Sequence, residues 1–245
     1  MKKVFNYRRA PLWALLWGVL GFVFQYLLQR TGLDHKGLYI TDHPAAVCSF
    51  VLIPFAMATF WLCCRPLKKQ RKACESLPQK TPSPILGFAA AALLLFCGFS
   101  DLSGATEGLA TLRILGAILC GLVIAVLSYL SLTKKKLPFG LYATIALLLI
   151  MFVVGNHRHW AAEPQVLVFF FPLMACIFLL LSAYQYAALA AGCGSRRLCC
   201  LFSSAGLYFC MTFLPQGGAF YGSMSLWLLA QQIPFMQWED SREAA

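Results

Sequence analysis

Apolar stretches recur along nearly the whole chain, and short polar segments separate them. Each stretch approaches the roughly 20 apolar residues that cross the hydrocarbon of a bilayer as a helix. The pattern predicts an all-α fold, a polytopic transmembrane helix bundle of about eight spans that forms one integral membrane domain, 1–245. The predicted spans are Leu12–Leu28, Ala45–Cys64, Ile85–Ser100, Thr111–Leu132, Phe139–Gly155, Gln165–Ala191, Leu198–Leu214 and Phe220–Phe235.

The basic residues predict the orientation of these spans. With the N-terminus in the cytoplasm, the 20 Lys and Arg residues divide 16 inside to 4 outside. Cationic loops resist translocation and stay on the cytoplasmic side. The loop at 65–83 carries six of the cations against one acid, Glu75, so it is the strongest cytoplasmic marker. An even number of spans also puts the C-terminus inside. The last span contains Gln231 and Gln232, which leaves seven spans as the alternative.

The two halves of the chain resemble each other in layout. Spans two and six each begin just after a proline, Pro44 and Pro164, and each carries a proline at similar depth, Pro54 and Pro172. This arrangement predicts a four-plus-four tandem repeat. The alternative is that prolines are simply common in membrane helices, because neighbouring helices satisfy the freed carbonyl groups. The halves of such a repeat are 1–132 and 138–236.

Composition agrees with membrane residence. The chain is 60% hydrophobic and 12% charged, whereas about a quarter of the residues in soluble domains are charged. The formal charge of +11 lies in short loops between spans and not on one basic face, which argues against nucleic-acid binding. The predicted partners are the lipid bilayer and, at the basic cytoplasmic loops, anionic lipid headgroups.

The eleven cysteines do not form a disulfide framework, because many lie near the predicted cytoplasmic face, where thiols stay reduced. The chain has no CxxC motif. We interpret the cysteines as small buried hydrophobic residues. The alternative is a cytoplasmic metal or redox site built from Cys63, Cys64, Cys193, Cys199 and Cys200.

Every histidine and five of the nine acids fall on the predicted outer side. Imidazole and carboxylate groups bind zinc, copper or nickel, and imidazole exchanges protons near neutral pH. Charge sorting alone would also leave acids and histidines outside, and the HExxH motif is absent, so we predict neither a bound metal nor another cofactor. The candidate outer-face binding cluster consists of Asp34, His35, Asp42, His43, His157, His159 and Glu163.

The spans themselves contain almost no ionisable groups. Arg113 is the one charge near a span interior, and its long side chain is expected to reach the outer interface. Ion-coupled carriers need a carboxylate or histidine at depth, so the pattern argues against ion-coupled transport. Small residues at four-residue spacing, such as Ala117 with Gly121, indicate close helix packing or dimerisation.

The stretch from Asp34 to Leu38, followed by His43 and Pro44, is similar to a recurring loop in a group of uncharacterised multi-spanning bacterial membrane proteins. The tract from Tyr142 to about Ile233 also resembles that group, with a span, a polar loop ending in an acid and Pro, a long span and a final hairpin. This resemblance implies the architecture and a location in the bacterial inner (plasma) membrane.

Three functions fit these patterns. The first is a small-molecule binding or transport component without an enzymatic site; a carrier of this kind needs a polar cavity near the midplane of the membrane that is reached from both sides. The second is a non-enzymatic membrane subunit or sensor that acts through a protein partner or as a homo-oligomer, which needs an exposed stripe of small or aromatic residues. The third is an intramembrane enzyme with an outer-face site, for which His35, Asp42 and His157 would have to converge.

Overall fold

The computed structural model describes most of the chain. The described residues are 7–33, 39–40, 42–65, 67, 82–102, 108–133, 137–162 and 166–237. Within these ranges, the side chains of 82, 109, 157–162, 166–168 and 234–237 lie outside the description.

The described residues form seven α-helices after a short 3-10 turn at Tyr7–Arg9, and all seven are long and apolar enough to cross a membrane. This confirms the predicted helical membrane bundle. The described residues contain no strand beyond one isolated bridge between Leu33 and Tyr39. The helices are α1 (Ala10–Thr31), α2 (Pro44–Cys64), α3 (Pro82–Leu102), α4 (Gly108–Leu132), α5 (Phe139–Ala162), α6 (Val166–Ala190) and α7 (Arg196–Gln237).

Proline marks several helix starts. Backbone amides in the first turn of a helix have no hydrogen-bond partner within the helix, so proline, which lacks this amide hydrogen, is tolerated there. Pro11 and Pro44 stand in the first turns of α1 and α2. Pro54 and Pro172, by contrast, lie inside α2 and α6, which continue past them. The tandem repeat that these prolines suggested stays a prediction.

Two helices extend beyond their predicted ends. The fifth span was predicted to end at Gly155, and this was wrong, because α5 continues to Ala162. The polar segment after Gly155 contains no helix breaker before Pro164, so its polarity alone does not end the helix. In the same way α3 runs through Asp101, which we had assigned to a polar turn.

Helix α7 is too long to be one straight span. Its 42 residues would measure about 63 Å at about 1.5 Å per residue, and Gly218 interrupts it with φ 59° and ψ −150°. A Cβ added to Gly206 would lie 3.0 Å from Leu228 Cδ1, although these residues would be about 33 Å apart along a straight helix. Helix α7 therefore folds back at Gly218 into a first arm, 196–217, and a second arm, 219–237.

The α7 hairpin lies at the centre of the bundle, where α1, α3 and α6 pack against it. In its most apolar window 67% of the residues are buried, against 28% to 44% in the other six helices. Glycines allow the close approach of α1, since a Cβ on Gly18 would lie 2.8 Å from Met211 Cβ and one on Gly21 would overlap Thr212. Gly121 of α4 likewise packs closely on Leu94 and Leu95 of α3, as its spacing predicted.

Candidate ligand cavity

The structure describes two residues of the predicted outer-face cluster. Asp42 is exposed. His43 caps α2, because its Nδ1 accepts a hydrogen bond from the Ala45 amide at 3.3 Å. Because Nδ1 accepts this hydrogen bond, the proton of the neutral imidazole ring lies on Nε2. The Nε2 atom lies 3.4 Å from Thr31 Oγ1. Both nitrogens of His43 therefore have local partners, and its position is explained by helix capping.

The other five residues of that cluster lie outside the described side chains. Asp34, His35 and Glu163 fall outside the described ranges, and His157 and His159 are described only as backbone positions of α5. The candidate outer-face cluster therefore stays a hypothesis from the sequence. Among the residues whose side chains are described, no three His, Cys, Asp or Glu side chains are placed to hold one metal ion.

The described residues between α1 and α2 contact the facing ends of the two helices. The Gly32 amide donates to Leu28 O at 2.8 Å, and the Ile40 amide donates to Gly32 O at 2.8 Å. The Tyr39 ring packs on a small buried cluster that includes Leu28 and Ala45. This burial raises the pKa of the Tyr39 phenol, because the charged form loses its hydration.

A cavity of about 510 Å³ opens between α3, α4, α5, α6 and the turn of α7. Its volume falls within the roughly 300–1,000 Å³ typical of small-molecule sites. We call this end of the bundle the turn end, and the end that carries Arg196 and Arg197 the basic end. Polar side chains that line the cavity are Ser100, Asp101, Arg113, Asn156 and Gln216. Apolar and aromatic side chains that line it include Leu94, Phe96, Ile114, Phe152, Phe213, Phe220 and Tyr221.

Arg113 and Asn156 form the polar wall that α4 and α5 contribute. Arg113 Nη1 donates to Asn156 Oδ1 at 3.4 Å, and Asn156 Nδ2 donates to Phe152 O at 2.9 Å. The second hydrogen bond orients the amide so that its oxygen faces the guanidinium. A guanidinium carries five N–H donors, so the bond to Asn156 leaves donors for a ligand. Arg113, whose side chain was expected to reach the outer interface, therefore lies in a cavity wall with a defined partner.

Asp101 supplies the opposite charge from the last turn of α3. Its side chain is exposed, whereas Asn156 is only 6% exposed. The cavity therefore carries an acid at its open edge and a base on its wall. Opposite charges on two different helices favour a ligand with both a positive and a negative group.

The turn of α7 forms another wall and is supported by α1. Gln216 lines the cavity and donates from Nε2 to Gln25 Oε1 at 3.0 Å. Gln25 is 1% exposed, and within the described part of the chain its own Nε2 has no hydrogen-bond partner. Gly218 makes the turn possible, because its φ of 59° with ψ of −150° belongs to a region that is essentially restricted to glycine.

Aromatic rings close the cavity toward the interior of the bundle. The rings of Phe152 and Phe220 stack with centroids 3.8 Å apart and an interplanar angle of 6°. Tyr221 meets Phe220 edge-on at 5.2 Å, and its hydroxyl lies 3.9 Å from Cys176 Sγ. Tyr221 is almost fully buried. Any passage deeper into the bundle therefore requires these rings to move.

A second set of polar groups lies nearer the basic end and is packed instead of open. Tyr142 donates its hydroxyl to Gln231 Oε1 at 3.0 Å and stacks on Tyr186 with ring centroids 5.7 Å apart. Ser203 Oγ donates to the Tyr186 hydroxyl at 3.0 Å, and Trp227 meets the Tyr186 ring edge-on. These contacts explain how the second arm of α7 tolerates Gln231. We call these five residues the tyrosine cluster.

Comparison with known protein families, with curated proteins and with solved structures finds no match to this chain. The description of the cavity therefore depends on its geometry. From the sequence we did not recognise Asp101, Arg113, Asn156 and Gln216 as one site. The available signal was that all four stand near the predicted outer ends of spans or in the turns beside them.

Proposed function

We propose that the protein spans a bacterial inner membrane eight times and binds a small amphiphilic molecule in this cavity from the outer side. Two features support eight crossings. The first and second arms of α7 contain 22 and 19 residues, or about 33 Å and 29 Å of helix, and each is close to the hydrocarbon thickness. The predicted charge sorting also puts the end with Arg196 and Arg197 in the cytoplasm and the turn end outside.

The composition of the cavity wall supports the ligand class. Arg113 and Asp101 provide one charge of each sign, and Phe152, Phe220 and neighbouring rings provide an apolar surface. A zwitterionic head group would place its anionic part against Arg113 and its cationic part against Asp101. Its hydrocarbon part would lie against the rings. This pairing of opposite charges with aromatic walls is the observation that carries the proposal.

The cavity favours binding over the two alternatives. A subunit that acts only through a protein partner needs no cavity of this size, and an outer-face enzyme would depend on the predicted histidine cluster. Transport would require one further step, in which Phe152 and Phe220 separate to open a route toward the tyrosine cluster. We therefore propose binding as the activity and treat movement across the membrane as its possible extension.

Ligand binding can be tested on the purified full chain in amphipol, without detergent. The probes are lysophosphatidylethanolamine, with a zwitterionic head, and a monoacylglycerol of the same chain length, with a neutral head. We expect Arg113→Gln to weaken lysophosphatidylethanolamine binding roughly tenfold or more, since charged hydrogen bonds contribute about 1.5–3 kcal/mol. Asp101→Asn should also weaken it. Native mass spectrometry gives the bound fractions.

The matched control is Arg30→Gln, which removes a cation that lies outside the cavity and over the Tyr26 ring. Its affinity for lysophosphatidylethanolamine should equal that of the wild type. If Arg113→Gln and Arg30→Gln bind both probes equally well, the cavity is not the binding site.

The orientation can be tested by labelling intact cells with an impermeant maleimide. In a cysteine-depleted chain, a cysteine at Gln79 should stay unlabelled, because the loop at 65–83 is expected in the cytoplasm. A cysteine at Gly218, in the exposed turn of α7, should be labelled. The reverse result would invert the proposed topology, and no labelling at either position would place the α7 turn away from the outer surface.

A further inference from the structure

We propose that Cys64 and Cys200 form a redox-sensitive pair that closes into a disulfide and links α2 to the first arm of α7. The chain contains two Cys-Cys dipeptides, at Cys63-Cys64 and Cys199-Cys200. They are far apart in sequence, yet Cys63, Cys64 and Cys200 pack together in one buried cluster with Ala10 of α1. Cys64 and Cys200 are therefore side-chain neighbours from two different helices.

The structure selects this pair from the five thiols that the sequence suggested as a group. Cys193 is exposed and hydrogen-bonds to Ala191 O at 3.7 Å. Cys199 belongs to the main core with Tyr186 instead of the small cluster. Cys63 lies in the same small cluster, but among the described side chains no three His, Cys, Asp or Glu are placed to hold one metal ion. Disulfide chemistry therefore fits Cys64 and Cys200 better than metal binding.

A second contact holds the two helices at this level. The Arg197 guanidinium lies over the Trp61 ring, 4.3 Å from its centroid. Arg197 and Cys200 are one helical turn apart in α7, and so are Trp61 and Cys64 in α2. The cation–π contact therefore restrains the same stretches of helix that carry the thiols. Disulfide formation requires Cβ atoms about 3.5–4.5 Å apart, and the packing of Cys64 and Cys200 in one buried cluster puts the two side chains next to each other.

The reaction balances with a peroxide as the oxidant. Cys200, at 5% exposed, is more accessible than the fully buried Cys64. Its sulfur takes one oxygen from the peroxide, forming sulfenic acid and releasing one water. The Cys64 sulfur then attacks the Cys200 sulfur, the S–O bond breaks, and the hydroxyl leaves with the Cys64 proton as a second water. Two thiols and one hydrogen peroxide thus give one disulfide and two waters, and a dithiol reductant reverses the change.

The cross-link would join a peripheral helix to the central hairpin. Helix α2 exposes a large part of its surface, including Val47, Phe55 and Trp61, whereas α7 is the most buried helix of the bundle. A covalent bond at the basic end would restrict any movement of α2 relative to α7. We expect the oxidised protein to be more resistant to heat than the reduced protein, with a Tm higher by roughly 5 °C.

The test uses the full chain in isolated membranes treated with hydrogen peroxide. Free thiols are blocked with N-ethylmaleimide, disulfides are reduced, and the released thiols are labelled with maleimide-polyethylene glycol. The wild type should gain two labels after oxidation. Cys64→Ser and Cys200→Ser should each lose this paired gain, whereas Cys193→Ser, which removes the exposed thiol, should keep it.

Peptide mapping of the oxidised wild type by mass spectrometry checks the linkage without any variant, so a misfolded variant does not decide the outcome. A linked peptide that joins Cys64 to Cys200 supports the proposal. Oxidation without a linked peptide would overturn it, and so would a link that persists in Cys64→Ser through Cys63. A label gain confined to Cys193 would also overturn it.

Discussion

The turn end and the basic end of the bundle use polar residues in opposite ways. At the turn end, Arg113, Asp101 and Gln216 surround an open volume. Nearer the basic end, Tyr142 and Tyr186 stack on each other and hydrogen-bond to Gln231 and Ser203 in a packed core. In the described part of the chain, Trp227 Nε1 of the same cluster is buried without a hydrogen-bond partner. Polar groups among the helices therefore do not by themselves mark a binding site. The difference is that the groups at the turn end have open space beside them.

The two ends also differ in the size of the side chains that meet there. The tyrosine cluster contains Tyr142, Tyr186 and Trp227, which are among the largest fully buried side chains of the protein. The cavity is bordered by small residues as well as by aromatic rings. These small residues are Gly98, Ser100, Ala117, Gly217, Gly218 and Ala219. Gly98 and Gly217 pack closely on Ile118 and Tyr221, whereas a Cβ on Gly218 would meet no atom within 4 Å, so the open space lies at the turn of α7.

The largest expected loss of stability comes from removing a buried ring of the tyrosine cluster. Tyr186→Ala removes a fully buried ring, its stack on Tyr142 and its hydrogen bond with Ser203. It should lower the free energy of unfolding by about 3–5 kcal/mol, the cost of a large cavity in a packed core. Tyr184→Ala is the control, because Tyr184 is 60% exposed, and should change it by less than about 0.5 kcal/mol. Thermal unfolding in amphipol measures both, and equal losses would show that the tyrosine cluster is not a stabilising core.

A smaller loss is expected at the turn that shapes the cavity. Gly218→Ala adds a methyl group that meets no atom within 4 Å, so its cost comes only from the backbone conformation. That cost should be about 1–3 kcal/mol at φ 59° and ψ −150°. Gly140→Ala is the matched control, because it also meets open space but lies in the helix α5. Alanine there should be neutral or stabilising. If the two variants unfold at the same temperature, then alanine at position 218 does not strain the backbone of the turn.

The smallest expected changes in the free energy of unfolding come from substitutions that remove one polar group at each end of the bundle. Tyr142→Phe leaves Gln231 Oε1 buried without its donor and should cost about 1–2 kcal/mol of unfolding free energy. Arg113→Gln, which changes a partly exposed side chain beside the cavity, should cost less than about 0.5 kcal/mol. Unfolding of the two variants side by side gives the comparison. A larger loss for Arg113→Gln would make Arg113 a structural group and would weaken its assignment to ligand binding.

Hydropathy predicted the helices because a bilayer leaves the backbone no other way to satisfy its hydrogen bonds than helices or closed barrels. It predicted the ends of α3 and α5 less well. Asp101 and the polar residues after Gly155 continue their helices, since a polar side chain alone does not prevent a helix from continuing. The break near Gly218 was visible as a Pro-Gln-Gly-Gly turn between the last two predicted spans.

The outer-face cluster shows where reasoning from the sequence reached its limit. His43 belonged to that group by residue type, but its ring caps α2. Arg113 was expected only to reach the outer interface, and its partner Asn156 on the next helix was not predicted. Residue type and predicted side of the membrane describe which chemistry is available. They do not describe which side chains meet.

The sequence by itself determined that this protein is a bundle of membrane-spanning helices, because the length and apolarity of its segments leave little choice in a bilayer. Only the tertiary structure decided which helices touch, since that depends on how glycines such as Gly18 and Gly21 fit against Met211 and Thr212 far along the chain. The cavity beside Arg113 and the approach of Cys64 to Cys200 follow from that packing. Both depend on surfaces of separate helices that complement each other in three dimensions, which no local pattern of residues encodes.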